Sequence, residues 1–221
     1  MKLEFNFDWI CHDIEFELSL LRDFYNDMQK SIPSMSAKFE ADMGTYLSTI
    51  QNDEEYRAMS STVLTEQYVR FEDFYPNRLA YNYLISLYSS IESNMSKLCD
   101  DIAERRTLPF SADGFAGDLP DRLRRFFLSF GLPPMEDQEV QFLKELTKLR
   151  NVIVHHAGKI PEEQQRLRNI IENTKGLEID DEKVVIDFAY CSEIWDNTMN
   201  MFQSMFRRLG YRTDFTVTTS P

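Results

Sequence analysis

At 221 residues, with 43% apolar content and a formal charge of −13, the chain suffices for one well-filled domain but carries too much acid to hold polyanions over its whole surface. Its 3 cysteines, Cys11, Cys99 and Cys191, are far apart and lack zinc-ligand or CxxC spacing, so they read as free, mostly buried thiols of a reducing cytosol. Only 7 Gly and 8 Pro punctuate the sequence, which favours long helices over many short strands.

The opening MKLEFNFDWICHDIEFEL has scattered acids and no basic segment before an apolar run, so it does not read as a signal peptide. No apolar stretch approaches bilayer length, and the expectation is a cytoplasmic protein without a membrane partner. Residues 1–75 form an acidic, aromatic-rich front section, read as a helical extension of unassigned role. Asp8 is placed to cap a helix whose apolar positions Ile10, Ile14, Leu18, Leu21, Tyr25 and Met28 recur at three- and four-residue steps. Pro33 is expected to close it. A second helical pattern follows through Met35, Phe39, Met43, Leu47 and Ile50, and the polar stretch from Asp53 to Glu72 reads as helical too.

Pro76 suits the first turn of a long helix reaching about Arg105, with Leu79, Tyr83, Leu87, Ile91, Met95, Leu98 and Ile102 on its apolar stripe. Residues 107–118 carry turn formers and read as a loop; a short basic helix from Pro120 to Phe130 follows. The next helix spans roughly Glu136 to Ala157. Phe142, Leu146, Leu149, Ile153 and His156 share its apolar face, Gly158 is a natural C-cap, and Pro161 lies just beyond. After a polar helix from about Pro161 to Asn173, LEIDDEKVVID alternates around Asp180-Asp181-Glu182, predicting a small β-hairpin near 177–186. A last long helix carries Phe188, Cys191, Trp195, Met199, Phe202, Phe206 and Leu209 as core residues. Residues 211–221 are expected to be a mobile tail. The fold class predicted is all-α, with that small hairpin as its β element.

The informative stretch is LTKLRNVIVHHAG, residues 146–158. Arg150, followed by the polar Asn151 and by His155 five places on, resembles the R-x4-H signature of the HEPN superfamily, in which asparagine is a frequent choice at the second position. The layout around it is similar as well. A long helix containing SLYSSIESNMSKL precedes the motif helix and an apolar helix follows, so the resemblance covers about residues 76–210, leaving 1–75 without a counterpart. It implies an HEPN-like helical bundle and a metal-independent endoribonuclease without cofactor. It also implies a toxin or antiphage defence role, RNA as substrate, a homodimer with two motifs lining one cleft, and an antitoxin or regulatory protein as a further partner. In the toxin branch silenced by nucleotide transfer to a tyrosine, that tyrosine lies two places after the motif histidine. Here the position is Ala157, so that control is not implied.

The residues support part of this on their own. Asn151 and His155 are four apart and share a helix face with Lys144 and Lys148, while Arg150 lies about 100° to one side and must curl to reach them. Metal-free RNA cleavage needs two proton transfers and stabilisation of a charged phosphorane. Histidine titrates in the right range, and arginine presents a permanently charged fork to phosphate oxygens. Plainer roles compete: His155 as a solvated histidine favoured at a helix C-terminus, His156 as a packed core histidine, and Arg150 in a structural ion pair. Glu92 shares a face with Tyr88, Met95 and Cys99 and needs a partner, Arg150 being one option and a surface position the other. Lys148, Glu92 and His156 are therefore supporting candidates.

Arg105-Arg106, Arg122 with Arg124-Arg125, and Arg207-Arg208 either line a basic groove with Lys144, Lys148 and Arg150 or are ordinary helix surface balanced by acids. There is no Gly-rich phosphate loop, HExxH, G-x-S-x-G or metal-spaced carboxylate cluster. An endoribonuclease and a non-catalytic dimerisation or protein-binding module of the same fold are the two functional expectations. The acidic balance and the unassigned front section favour the second.

Overall fold

The computed structural model describes residues 2–5, 7–213 and 217–220, with side chains over 7–213. Among the described residues the chain forms α1 (Trp9–Leu47), α2 (Asp53–Tyr68), α3 (Tyr75–Arg106), α4 (Leu119–Ser129), α5 (Asp137–His156), α6 (Gln165–Asn173) and α7 (Phe188–Leu209). Two antiparallel pairs complete it: β1 (Lys2–Phe5) with β4 (Val217–Ser220), and β2 (Leu177–Asp180) with β3 (Lys183–Ile186). The fold is an all-α bundle with the expected small hairpin. None of these helices is long and apolar enough to cross a membrane.

Helix α3 is the axis of the bundle. Tyr83, Leu84, Leu87, Ile91, Met95 and Leu98 are buried along it, and α1, α5 and α7 pack against it. The three- and four-residue spacing of these side chains gives α3 apolar surface on several faces, which is why it collects several neighbours. Buried Phe126 and Phe127 of α4 and Phe202 and Phe206 of α7 join the same core. Cys11, Cys99 and Cys191 are free and buried.

The front section is not an appendage throughout. Cys11, Ile14, Leu18 and Tyr25 of α1 belong to the central core, whereas no residue of α1 beyond Tyr25 is fully buried. The distal half of α1 pairs instead with α2 and the turn that follows it, through a hydrogen bond from Gln67 to Ser36 at 3.2 Å and Phe39 against Phe71. Pro33 does not end α1, which runs through it to Leu47. A proline removes one hydrogen bond, and the residue whose carbonyl it orphans, Gln29, is half-exposed. A second unexpected feature joins α2 to α3: Val69–Phe74 is a π-helical turn in which Tyr75 N–H reaches Arg70 O. The widened turn lies immediately before Pro76, whose missing N–H spoils an ordinary α-helical junction.

The chain ends are tied together. Asp8 stands at the N-cap of α1 as expected, yet its carboxylate does not cap the helix. It accepts the Arg212 N–H at 2.7 Å and pairs with Arg105 at 3.1 Å. Burial alone pushes the Asp8 pKa up, but the Arg212 amide and the Arg105 guanidinium outweigh it and hold the carboxyl below its ordinary value. The tail after Gly210 is therefore not free along its length: Tyr211 is buried, its hydroxyl donates to Asp101, and β4 pairs with β1. Of the tail expected to be mobile, residues 214–216 and 221 lie outside the described residues.

Candidate functional site on helix α5

Helix α5 is fixed on one side by Leu143, Leu146, Leu149, Val152 and Ile153, all buried. Glu139 accepts the Glu136 N–H at 2.8 Å in its first turn, and Arg208 of α7 clamps the same carboxylate. Its C-terminus turns sharply. Ala157 (φ +51°) and Gly158 (φ +86°) are both left-handed, and Gly158 N–H reaches Val152 O at 3.1 Å. The expected glycine stop is thus a two-residue turn with alanine at the cap.

That turn feeds the hairpin. Val184 N–H of β3 donates to Gly158 O at 3.0 Å, Ile160 N–H donates to Glu182 O at 2.8 Å, and the Tyr81 hydroxyl donates to Val184 O. The segment after α5 so acts as a partner for the outer edge of β3. The hairpin turn places Asp181 and Glu182 at positive φ, the pattern of a two-residue type I′ connection. Gly158 has to be glycine, because a Cβ there would fall on the Tyr81 ring.

On the outer face of α5, Lys148, Asn151 and His155 are exposed and Lys144 is half-exposed. Arg150 curls back as its helix position requires, donating to Asn151 Oδ1 at 3.1 Å. Its guanidinium lies 5.9 Å from the Tyr88 ring centroid, and its buried Nε has no hydrogen-bond partner among the described residues. Beneath it, Thr147 donates to Leu143 O, so the Tyr88 hydroxyl is the donor to Thr147 Oγ1 at 3.1 Å. Burial raises the Tyr88 pKa and keeps it a donor. At the N-terminal end of the stripe, Arg124, Leu128, Met135, Val140, Gln141 and Lys144 line a cavity of about 590 Å³. Sequence reasoning did not single out Tyr88 and Thr147 in these roles, since only tertiary packing brings Tyr88 of α3 against α5; Arg124 beside Lys144 is one piece of the basic groove the sequence offered.

Two expectations are corrected. Glu92 does not partner Arg150. It is 46% exposed and pairs with Arg122 of α4 at 2.8 Å, and Arg122 also holds Asp113 at 2.8 Å. His156 is exposed rather than packed, because the buried face of α5 ends at Ile153. Nor do the arginine pairs as a set line a common groove, although Arg124 shares a cavity with Lys144. Arg105 is held by Asp101 at 2.6 Å besides Asp8, Arg208 by Glu136 at 2.7 Å and Glu139 at 2.6 Å, and Arg125 donates to Ala116 O at 2.8 Å. Among the described residues no three or more His, Cys, Asp and Glu side chains gather to hold a metal ion. No family model, curated protein or solved structure matches the chain.

Proposed function

We propose that the chain is a metal-independent endoribonuclease of HEPN type, cutting RNA with Arg150, Asn151 and His155 of α5. The observation that carries this reading is the state of Arg150. Its half-buried guanidinium meets a neutral amide instead of a carboxylate, and its Nε has no acceptor among the described residues. A partly desolvated cation without a counter-ion is unfavourable, and a phosphate would supply both the charge and the acceptors.

His155 stands one turn beyond Asn151 and is open to solvent, placed for proton transfer. In the reaction the ribose 2′-hydroxyl loses its proton and its oxygen attacks phosphorus. The P–O5′ bond breaks, and the 5′-oxygen takes a proton, leaving a 2′,3′-cyclic phosphate and a 5′-hydroxyl. One histidine serves one of the two proton transfers, and a second copy of the chain in a homodimer cleft serves the other. A cytoplasmic toxin or antiphage effector, restrained by an antitoxin, is the setting this activity suits.

The test is cleavage of total RNA and tRNA by the purified chain in EDTA, beside His155→Ala and Arg150→Ala. Cleavage by the parent, with loss of at least about a hundredfold in each variant, is expected from removal of a general acid–base or a charge clamp. Undiminished cleavage by His155→Ala refutes the assignment. A folded parent that cuts nothing favours a second reading, a non-catalytic dimerisation or protein-binding module. The exposed apolar face of α1 is the observation in its favour.

A further inference from the structure

Helix α1 presents to solvent a row of large apolar side chains that the core does not use. Phe16 is 56% exposed, Leu20 52%, Phe24 62% and Met28 41%, and Trp9 and Met35 extend the row in both directions. The four-residue steps keep these side chains on one side of the helix, turned away from buried Cys11, Ile14, Leu18 and Tyr25. At roughly 200 Å² for each large side chain the row exposes about 600 Å² of apolar surface, at the upper end of what a monomer leaves uncovered. Covering it with one helix and its flanks brings the contact near the ~800 Å² per partner of a stable interface.

Acids are interleaved with the row. Asp13 and Asp27 lie on the same side of the helix, with side chains 74% and 80% exposed although Asp13 meets His12 at 3.2 Å and Asp27 lies 3.8 Å from the exposed Lys30, and Asp23 is exposed at its edge. A second copy of the chain fits this surface poorly. Pairing two α1 helices antiparallel about Leu20 sets Asp13 against Asp27 of the other copy, and parallel pairing sets each acid against itself. An anionic bilayer meets the same repulsion. The complementary surface is apolar along its centre and cationic along its edges.

We infer that the outer face of α1 is a docking surface for a basic amphipathic helix of a different protein. Leu, Ile or Phe of that helix cover Phe16, Leu20, Phe24 and Met28, while Lys or Arg meet Asp13, Asp23 and Asp27. The inference stands whether or not the chain cleaves RNA, since none of these residues belongs to the α5 site.

The experiment uses the full chain and two dye-labelled helical peptides of about 20 residues, long enough to lie along Trp9 to Met28. Both carry the same leucine stripe; one is flanked by lysine and the other by glutamate. Fluorescence anisotropy is expected to show the lysine peptide bound at least about tenfold more tightly. That preference disappears in Phe16→Ser/Phe24→Ser and inverts in Asp13→Lys/Asp27→Lys. All four positions are exposed, so thermal unfolding within about 4 °C of the parent verifies that each variant is folded. Equal affinity for the two peptides, or binding indifferent to these substitutions, overturns the inference. It is also overturned by a dimer in sedimentation equilibrium that dissociates in Phe16→Ser/Phe24→Ser, or by phosphatidylserine vesicles that bind the parent and not that variant.

Discussion

Replacing Gly158 with alanine tests how the end of the motif helix is held. The residue sits at φ +86°, where an L side chain is strained by about 1–2 kcal/mol. The added Cβ would also fall on the Tyr81 hydroxyl and within 2.7 Å of its Cζ. Tyr81 is buried and cannot swing away without leaving Val184 O unpaired, a further loss of about 1–3 kcal/mol. The two contributions predict a destabilisation of about 2–5 kcal/mol, or a fall in Tm of about 5–15 °C for a chain of this size. Urea unfolding of Gly158→Ala, Tyr81→Phe and the double variant measures it. Removing the hydroxyl takes away the closest overlap, so alanine is expected to cost at least about 1 kcal/mol less in the Tyr81→Phe background. A loss below about 1 kcal/mol for Gly158→Ala, or strict additivity with Tyr81→Phe, would refute this account of the turn.

Glu92→Gln is expected to lower stability by less than about 1 kcal/mol in urea unfolding, since the half-exposed carboxylate shares Arg122 with Asp113, and to leave RNA cleavage unchanged. A strong loss of cleavage would return Glu92 to the site. Asp8 has a folded pKa below its ordinary 3.8, so its stabilisation is complete above that value and is lost as pH falls through the lowered one. Asp8→Asn should therefore destabilise the chain by about 1–3 kcal/mol at pH 7 and progressively less as the pH falls below 3.8, read from urea midpoints against pH. Burial pushes the Cys11 and Cys191 thiols up to about 12 and the Cys99 thiol higher still. Iodoacetamide at pH 8 should label none of them in the native chain and all of them in urea, as mass spectrometry would show. On the proposed reading, Lys144, Lys148 and Arg150 neutralise about three phosphates, giving a slope of about −2 in log K against log salt for single-stranded RNA. Lys148→Ala should reduce that slope by about 0.7, and an unchanged slope would remove Lys148 from the interface.

The parts of the fold legible in the sequence were those written in local periodicity. Helices α3, α5 and α7 lie close to their predicted bounds because their apolar steps continue unbroken between clear stops such as Gly210. The β2–β3 hairpin was legible for the same reason, its alternation being centred on the residues that form the turn. What stayed hidden depends on distance. Nothing near Lys2 announces that it pairs with Ser220, and nothing near Asp8 indicates that its ligands are Arg105 and Arg212. Pro33 misled because helix interruption depends on whether the orphaned carbonyl finds water, which sequence does not state. Glu92 misled because residues 88, 95 and 99 made its face look apolar, while the docking of α4 delivers Arg122 to it from outside. At α5 the 3.6-residue period correctly set Asn151 and His155 outward, but the exposure of His156 depended on where the core ends.

The arginines of this acidic chain differ in what they hold. Arg105 fastens the start of α1 and the C-terminal segment to α3, Arg122 fastens α4 to α3, and Arg208 fastens α7 to the first turn of α5. Each bridges two carboxylates, so each spends its charge inside the fold. Arg150 is half-buried like Arg122 and Arg208, and like Arg122 it has a buried Nε without a hydrogen-bond partner among the described residues, yet it sits over Tyr88 and bonds an amide instead of a carboxylate. With acids in large excess over bases, a carboxylate for Arg150 would have been easy to supply within one helical turn, and the residues at 146, 147, 153 and 154 are Leu, Thr, Ile and Val. On α1, Asp13 and Asp27 stand among apolar side chains, Asp13 against His12 at 3.2 Å and Asp27 near Lys30 at 3.8 Å, with both carboxylates still largely exposed. On the proposed readings, charge only partly compensated at a structured surface is where a complementary partner gains most: an anion at α5 and a cationic helix at α1.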